Sequence, residues 1–143
     1  MKKPKLLFGI LIGFLILSCS SDDDSNNTNQ DDLVGTWNLI SIENQGIDNI
    51  VIDCQTEQNI IYNSNNSGTE KAPEEISQTP CEFNTVPFSW TRNGNQVTIT
   101  VDQEGTFVNE ILLITENNLE IVVTEMNGTP VPQNEQEIFK YEK

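Results

Sequence analysis

The stretch Phe88-Ser89-Trp90-Thr91-Arg92-Asn93-Gly94-Asn95-Gln96-Val97-Thr98-Ile99-Thr100-Val101-Asp102 decides the fold class. In its second half Val97, Ile99 and Val101 alternate with Thr98, Thr100 and Asp102, a period of two that sends one set to each face of a strand. In its first half Phe88 and Trp90 alternate with Ser89 and Thr91 in the same way. Asn93-Gly94 lies between them, and these residue types accept the positive φ that short hairpin loops require. The stretch therefore reads as an antiparallel hairpin, Phe88 to Arg92 against Gln96 to Asp102.

Working outward, the same pattern recurs. Phe107 to Thr115 and Leu119 to Thr124 form a second hairpin around Asn117-Asn118, with Leu119, Ile121 and Val123 on one face and Glu120, Val122 and Thr124 on the other. Glu137 to Tyr141 reads as a final strand. Towards the N-terminus, Thr36 to Glu43 is a strand turned by Asn44-Gln45-Gly46. Asn59 to Asn63 is a short strand, Asn63 to Gly68 a polar turn, Thr69 to Ala72 its return, and Pro73 to Pro80 a loop. No segment carries a sustained 3.6-residue apolar period. Consecutive hairpins need no long crossovers, so the prediction is an all-β, antiparallel, up-and-down meander of about eight strands, and closing it into a barrel removes the exposed edges.

Leu33-Val34-Gly35-Thr36-Trp37-Asn38-Leu39 opens this region and resembles the start of the lipocalin superfamily, whose first strand carries Gly-x-Trp. Gly35 and Trp37 match it. In that family the tryptophan plugs the closed end of an eight-stranded barrel, and the glycine lets the chain enter tightly. The chain resembles in particular the lipocalin-like domains of lipid-anchored proteins from Bacteroidetes-type bacteria. They are similar in length and share a cysteine pair in the first half, a Trp before an Asn-Gly turn and a strand-rich tail. The resemblance covers Leu33 to about Tyr141. It departs from lipocalins proper at three points. The last strand offers Lys140 where they have an arginine over the tryptophan, their Thr-Asp-Tyr motif is absent, and no C-terminal helix is visible. Trp37 has two readings, barrel core and ligand contact.

The first residues carry a different signal. Lys2, Lys3 and Lys5 precede an apolar run from Leu6 to Leu17, too short to cross a bilayer as a helix, which needs roughly 20 residues. Ile16-Leu17-Ser18-Cys19 closes the run and resembles the bacterial lipobox. That resemblance implies removal of residues 1–18 as a lipoprotein signal peptide and acylation of Cys19 with diacylglycerol and a third, palmitate-like chain, an anchorage stable because each buried CH₂ adds about 0.8 kcal/mol. A retained anchor helix is the other reading of this run. Residues 19–32 then form the lipidated cysteine and a flexible acidic tether: from Ser20 to Asp32 there is no apolar residue and there are five aspartates. Ser20 to Asp24 also resembles the surface-export signal of Bacteroidetes-type lipoproteins, although a solvated linker has the same composition. Residues 33–143 are the lipocalin-like domain. The expected location is the bacterial outer membrane, lipid-anchored, at the cell surface.

Charge and composition narrow the function. The chain has 7 basic and 22 acidic residues and no histidine. Without the signal only Lys71, Arg92, Lys140 and Lys143 remain basic, which excludes the basic footprint that nucleic-acid binding needs. The membrane partner is reached through the lipid on Cys19 rather than through surface charge. Serines lack a nucleophile context, no phosphate-cradling glycine motif occurs, and the usual general base is missing. No catalytic residues, cofactor or metal site are expected, and the chain is read as a non-enzyme. Cys54 and Cys81 remain after Cys19 takes lipid; in an oxidising compartment an even pair reads as a disulfide, and no Cys-x-x-Cys or histidine supports a metal alternative.

Two functions stay open. In the first, a small apolar or amphipathic ligand sits in the open end of the barrel, with Phe88 and Trp90 as its candidate contacts. In the second, Phe88 and Trp90 fill the core, and the chain is an interaction subunit of a cell-envelope complex whose partner docks on the stapled segment Gln55 to Cys81.

Overall fold

The computed structural model describes residues 31–51 and 53–143. The signal peptide, Cys19, the export motif and the tether as far as Gln30 lie outside the described residues. Ten strands form one antiparallel sheet: β1 (Gly35–Asn44), β2 (Ile47–Ile50), β3 (Asn59–Tyr62), β4 (Ser67–Pro73), β5 (Phe83–Asn93), β6 (Gln96–Val101), β7 (Gly105–Ile114), β8 (Asn118–Met126), β9 (Thr129–Pro130) and β10 (Glu137–Glu142). No α-helix occurs among the described residues; the only helical turns there are 3₁₀ segments at Asp53–Glu57 and Gln133–Glu135.

The meander from β3 to β8 pairs each strand with the next. β8 pairs with β10 (Tyr141 opposite Leu119), β10 with β1 (Leu39 opposite Tyr141), and β1 with β3 (Trp37 opposite Ile60). The ring β1-β3-β4-β5-β6-β7-β8-β10 is thus a closed eight-stranded antiparallel barrel, as the sequence predicts. The two remaining strands are hairpin extensions, β2 on the far half of β1 and β9 on the end of β8. The β1–β2 loop is Gln45-Gly46, with φ +51° and +80°, the pair of positive values that a two-residue type I′ turn demands.

Strand boundaries differ from the sequence reading where chemistry masks the pattern. β5 begins at Phe83, five residues before Phe88, and runs through Pro87. Proline removes a ladder donor, yet Pro87 is paired only on its β4 side, opposite Thr69; pairing with β6 starts at Ser89. The segment Gln55 to Cys81 is not a single loop, because β3 and β4 within it are barrel wall; its free part is Glu74 to Cys81.

The inward residues of the ring form one apolar core, with Trp37, Leu33 and Leu119 fully buried. Tyr62 packs edge-on against both Phe88 and Trp90, at ring-centroid distances of 5.6 and 5.4 Å. Val97 and Ile99 point inward, as do Leu119 and Ile121. Val122 departs from its expected outward exposure: it is buried on the outer face, beside Gln133, Gln136 and Ile138.

Candidate functional site

The two ends of the barrel are built differently. At the end where β1 begins, the Trp37 ring is fully buried and its Nε1 donates to Leu33 O at 2.7 Å. Gly35 has φ +147°, and a Cβ there would lie 2.8 Å from the Lys143 side chain, so the chain passes that lysine as closely as a glycine permits. Lys143 Nζ lies 4.4 Å from the Trp37 ring centroid and donates to Asp32 O at 3.3 Å. The cation over the tryptophan therefore comes from Lys143, one residue beyond β10, while Lys140 pairs with Glu43 and Asp48 outside the barrel. Arg92 closes the same end by pairing with Asp31 and Asp32.

At the opposite end the barrel holds a cavity of about 180 Å³. Its walls are mainly apolar, with Phe88, Ile99, Phe107, Ile121 and Val123 contributing. Phe88 reaches it because β4 places Gly68 directly opposite: a Cβ at residue 68 would sit 2.2 Å from Phe88 Cε2 and 2.5 Å from Ile61 O. Trp90, the other candidate contact, is two residues deeper; it lies outside the lining, packed on Tyr62, with its Nε1 donating to Ser67 O at 3.0 Å.

Four polar side chains line the cavity: Glu70, Glu104, Asn109 and Tyr141. Glu70 shares the inward phase of β4 with Gly68, and Gln58 Nε2 donates to its Oε1 at 3.4 Å. Burial pushes the Glu70 carboxyl above its ordinary range; the Gln58 bond opposes this and the charge of Glu104 adds to it. Burial, with the Glu70 charge, likewise raises Tyr62 and Tyr141, which stay neutral hydroxyls. Asn109 is only 4% exposed and stands on β7 between Phe107 and Ile111.

The bridge Cys54–Cys81 is formed, with an S–S distance of 2.06 Å, and ties the 3₁₀ segment Asp53–Glu57 to the loop before β5 at the cavity end. Among the described residues no group of three or more His, Cys, Asp or Glu is arranged to hold a metal ion. Sequence reasoning reached Phe88 but missed Glu70, Glu104 and Asn109. Asn109 had a usable signal, a polar residue at an inward position between Phe107 and Ile111.

A closed antiparallel barrel, plugged at one end and hollow at the other, belongs to the calyx class of β-proteins. Within that class the chain belongs to the lipocalin-like domain family, whose family model matches residues 33–121. Two solved structures share the fold. One is a lipocalin-like protein from Bacteroides uniformis, 13% identical, with a TM-score of 0.56 over 78% of this chain and 98% of that one. The other is an uncharacterized protein from Bacteroides eggerthii, 8% identical, with a TM-score of 0.53 over 78% of this chain and 99% of that one. No curated protein matches the chain.

Proposed function

We propose that the chain is a lipid-anchored envelope protein that holds a small apolar or amphipathic molecule in the open end of its barrel, with no catalytic step. The observation that carries the binding reading is the apolar cavity of about 180 Å³ with a buried amide in its wall. A barrel serving only as a scaffold gains by filling such a space: at about 24 cal/mol per Å³, an enclosed void of this size costs about 4 kcal/mol, an upper figure for one that opens to water. Small-ligand sites in closed barrels lie in their mouths, walled by apolar side chains with a few polar groups to set orientation. The membrane part of the reading rests on sequence. Residues 1–18 are read as the signal peptide, Cys19 as the lipid site, and the stretch from Ser20 to Gln30 as the tether that carries the domain at the outer surface of the outer membrane; Asp31 and Asp32, expected in the tether, belong to the domain through their pairing with Arg92.

Native mass spectrometry of Ser20 to Lys143, exported so that Cys54 and Cys81 can pair, tests the binding reading. The expected result is an added mass, retained under gentle desolvation and lost in a cavity-filling Val86→Trp variant. A clean unliganded mass, unchanged after incubation with envelope lipid extract and small aromatic compounds, refutes it and turns the search to protein partners of the loop Glu74 to Cys81. Fatty-acid labelling that vanishes in Cys19→Ser, with protease accessibility on whole cells, tests the anchor and its face.

A further inference from the structure

The charge of the cavity has one sign. Glu70 and Glu104 line it, and none of its described lining residues is basic. The Glu70 carboxylate and the Glu104 backbone are held in place. Glu70 is positioned by the pleat of β4 and the bond from Gln58. Glu104 belongs to the β6–β7 turn, which is fastened to the turn after β8: Asn127 Nδ2 donates to Glu104 O at 3.2 Å, and Asn127 Oδ1 accepts from Thr106 N at 2.8 Å. A Cβ on Gly105 would fall 1.8 Å from Asn127 Oδ1, so the two turns are locked together through a glycine with φ +112°.

An independent observation points to a ligand at the same place. Asn109 is buried within the cavity wall, and its side-chain amide forms no hydrogen bond among the described residues. Asn109 is itself a lining residue, so its side chain borders the cavity space. Buried amides in a dry wall are retained against a cost unless something bonds them.

We propose that the open end of the barrel is a site for a small organic cation, a protonated primary amine on an apolar body, with the ammonium between Glu70, Glu104 and Asn109 Oδ1. This deepens the small-ligand reading above and rests on it. An ammonium brings three donors and no acceptor, which matches two carboxylates and an amide oxygen. Its apolar body meets Phe88, Phe107 and Val123, and the Phe107 and Phe139 rings add π-faces that attract cations. A cavity of 150 Å³ holds benzene, so 180 Å³ suits roughly six to ten non-hydrogen atoms. A carboxylate ligand, a fatty acid included, meets two like charges with no basic side chain in the lining. The titratable groups lining the site are Glu70, Glu104 and Tyr141, and Tyr62 in the core behind it feels the Glu70 charge; the tyrosines stay neutral, so amine binding weakens as pH falls through the raised range of Glu70.

The test is calorimetry on the whole anchored chain in zwitterionic nanodiscs, with empty nanodiscs subtracted. The probes are 2-phenylethylamine, 2-phenylethanol and phenylacetate, near-isosteres of different charge. The amine is expected to bind about tenfold tighter than the alcohol, as a charge-assisted bond implies, and phenylacetate weaker than both. Glu70→Gln removes the amine preference, and a cooperative urea transition reports whether the variant is folded; Glu104→Gln, in an exposed turn, reduces the preference and serves if the first variant does not fold. Alcohol binding without amine preference, or a preference that survives both variants, overturns the cation site alone. Failure of all three probes to bind at millimolar concentration overturns the small-ligand reading beneath it as well.

Discussion

Replacing Gly68 with alanine adds one methyl group at the seam between the packed core and the cavity. On backbone grounds the change is favourable: Gly68 has no left-handed conformation, and alanine at a compatible site stabilises by about 0.4–1 kcal/mol through the unfolded chain. Packing opposes it. The new Cβ would sit 2.2 and 2.3 Å from two Phe88 ring atoms and 2.5 Å from Ile61 O, where ordinary contact begins at 3.4 Å. The ring has to move by more than 1 Å, which disturbs its edge-on packing with Tyr62, and the Ile61 carbonyl, part of the β3 ladder, resists any shift. Overpacking of this kind costs about 1–3 kcal/mol. The prediction is a net loss of roughly 1–2 kcal/mol, seen as a lower urea midpoint with unchanged m value, together with weaker ligand binding. A double-mutant cycle with Phe88→Leu isolates the cause, since removing the ring relieves the clash and the two changes then couple rather than add. A stabilised Gly68→Ala protein, or strict additivity in the cycle, refutes the packing argument.

The bridge Cys54–Cys81 closes a loop across 27 positions, so Cys54→Ser with Cys81→Ser is expected to lower stability by about 3.5 kcal/mol in the chain-entropy model, read by urea denaturation. Lys143→Met keeps the aliphatic stem and removes the charge above Trp37; a loss of about 0.5–1 kcal/mol and altered tryptophan emission are expected, whereas an unchanged unfolding midpoint contradicts the role given to this cation. Glu70→Gln has a sign fixed by linkage. Because the folded protein raises the Glu70 carboxyl, unfolding releases its proton, and native stability falls as pH rises through the unfolded and then the folded range. The variant escapes that loss, so its gain in thermal midpoint over the natural chain is larger at pH 7 than at pH 4; a gain independent of pH disproves the burial argument.

The parts of the fold that the sequence displays are those in which alternation is chemically visible. Val97 and Ile99 alternate with Thr98 and Thr100, Leu119 and Ile121 flank Glu120, and all four face inward as that pattern requires. Alternation fails where neighbours are too few or too ambiguous. β2 has four residues and lies outside the ring, the first half of β5 hides behind Pro87, and Val122 is buried on the outer face by the chain after β9. The site is less legible for a related reason. The inward phase of β4 is carried by Gly68, which has no side chain to declare it, so nothing in Thr69-Glu70-Lys71 reveals that the glutamate points inward and the lysine outward to Glu57. Glu104 is an ordinary turn residue until Asn127, 23 positions away, fastens its backbone. The last strand offers Lys140, but the cation over Trp37 is Lys143, just past the strand's end.

Each strand of the ring crosses both halves of the barrel, so stability and binding are separated along the strands rather than between them. In β5, Trp90 packs on Tyr62, Phe88 marks the boundary and Val86 lines the mouth. β8 repeats the gradient from fully buried Leu119 through Ile121 to Val123, and β6 from Val97 through Ile99 to Val101. Buried apolar side chains in the plugged half touch protein on all sides, and truncating one there costs about 2–5 kcal/mol. Near the mouth one side already faces free space, so truncation forfeits fewer contacts and mainly enlarges the cavity. Substitutions at Val86, Val101 and Val123 are therefore expected to alter ligand size preference while unfolding midpoints barely move, and substitutions at Trp90, Val97 and Leu119 to do the reverse. A series of alanine variants at these six positions, measured for both quantities, decides the matter: correlated losses at both ends mean that the barrel behaves as one packed unit and that its hollow end is not an independent site. The disulfide fits the divided arrangement, because it ties together chain segments at the end where packing alone holds them least.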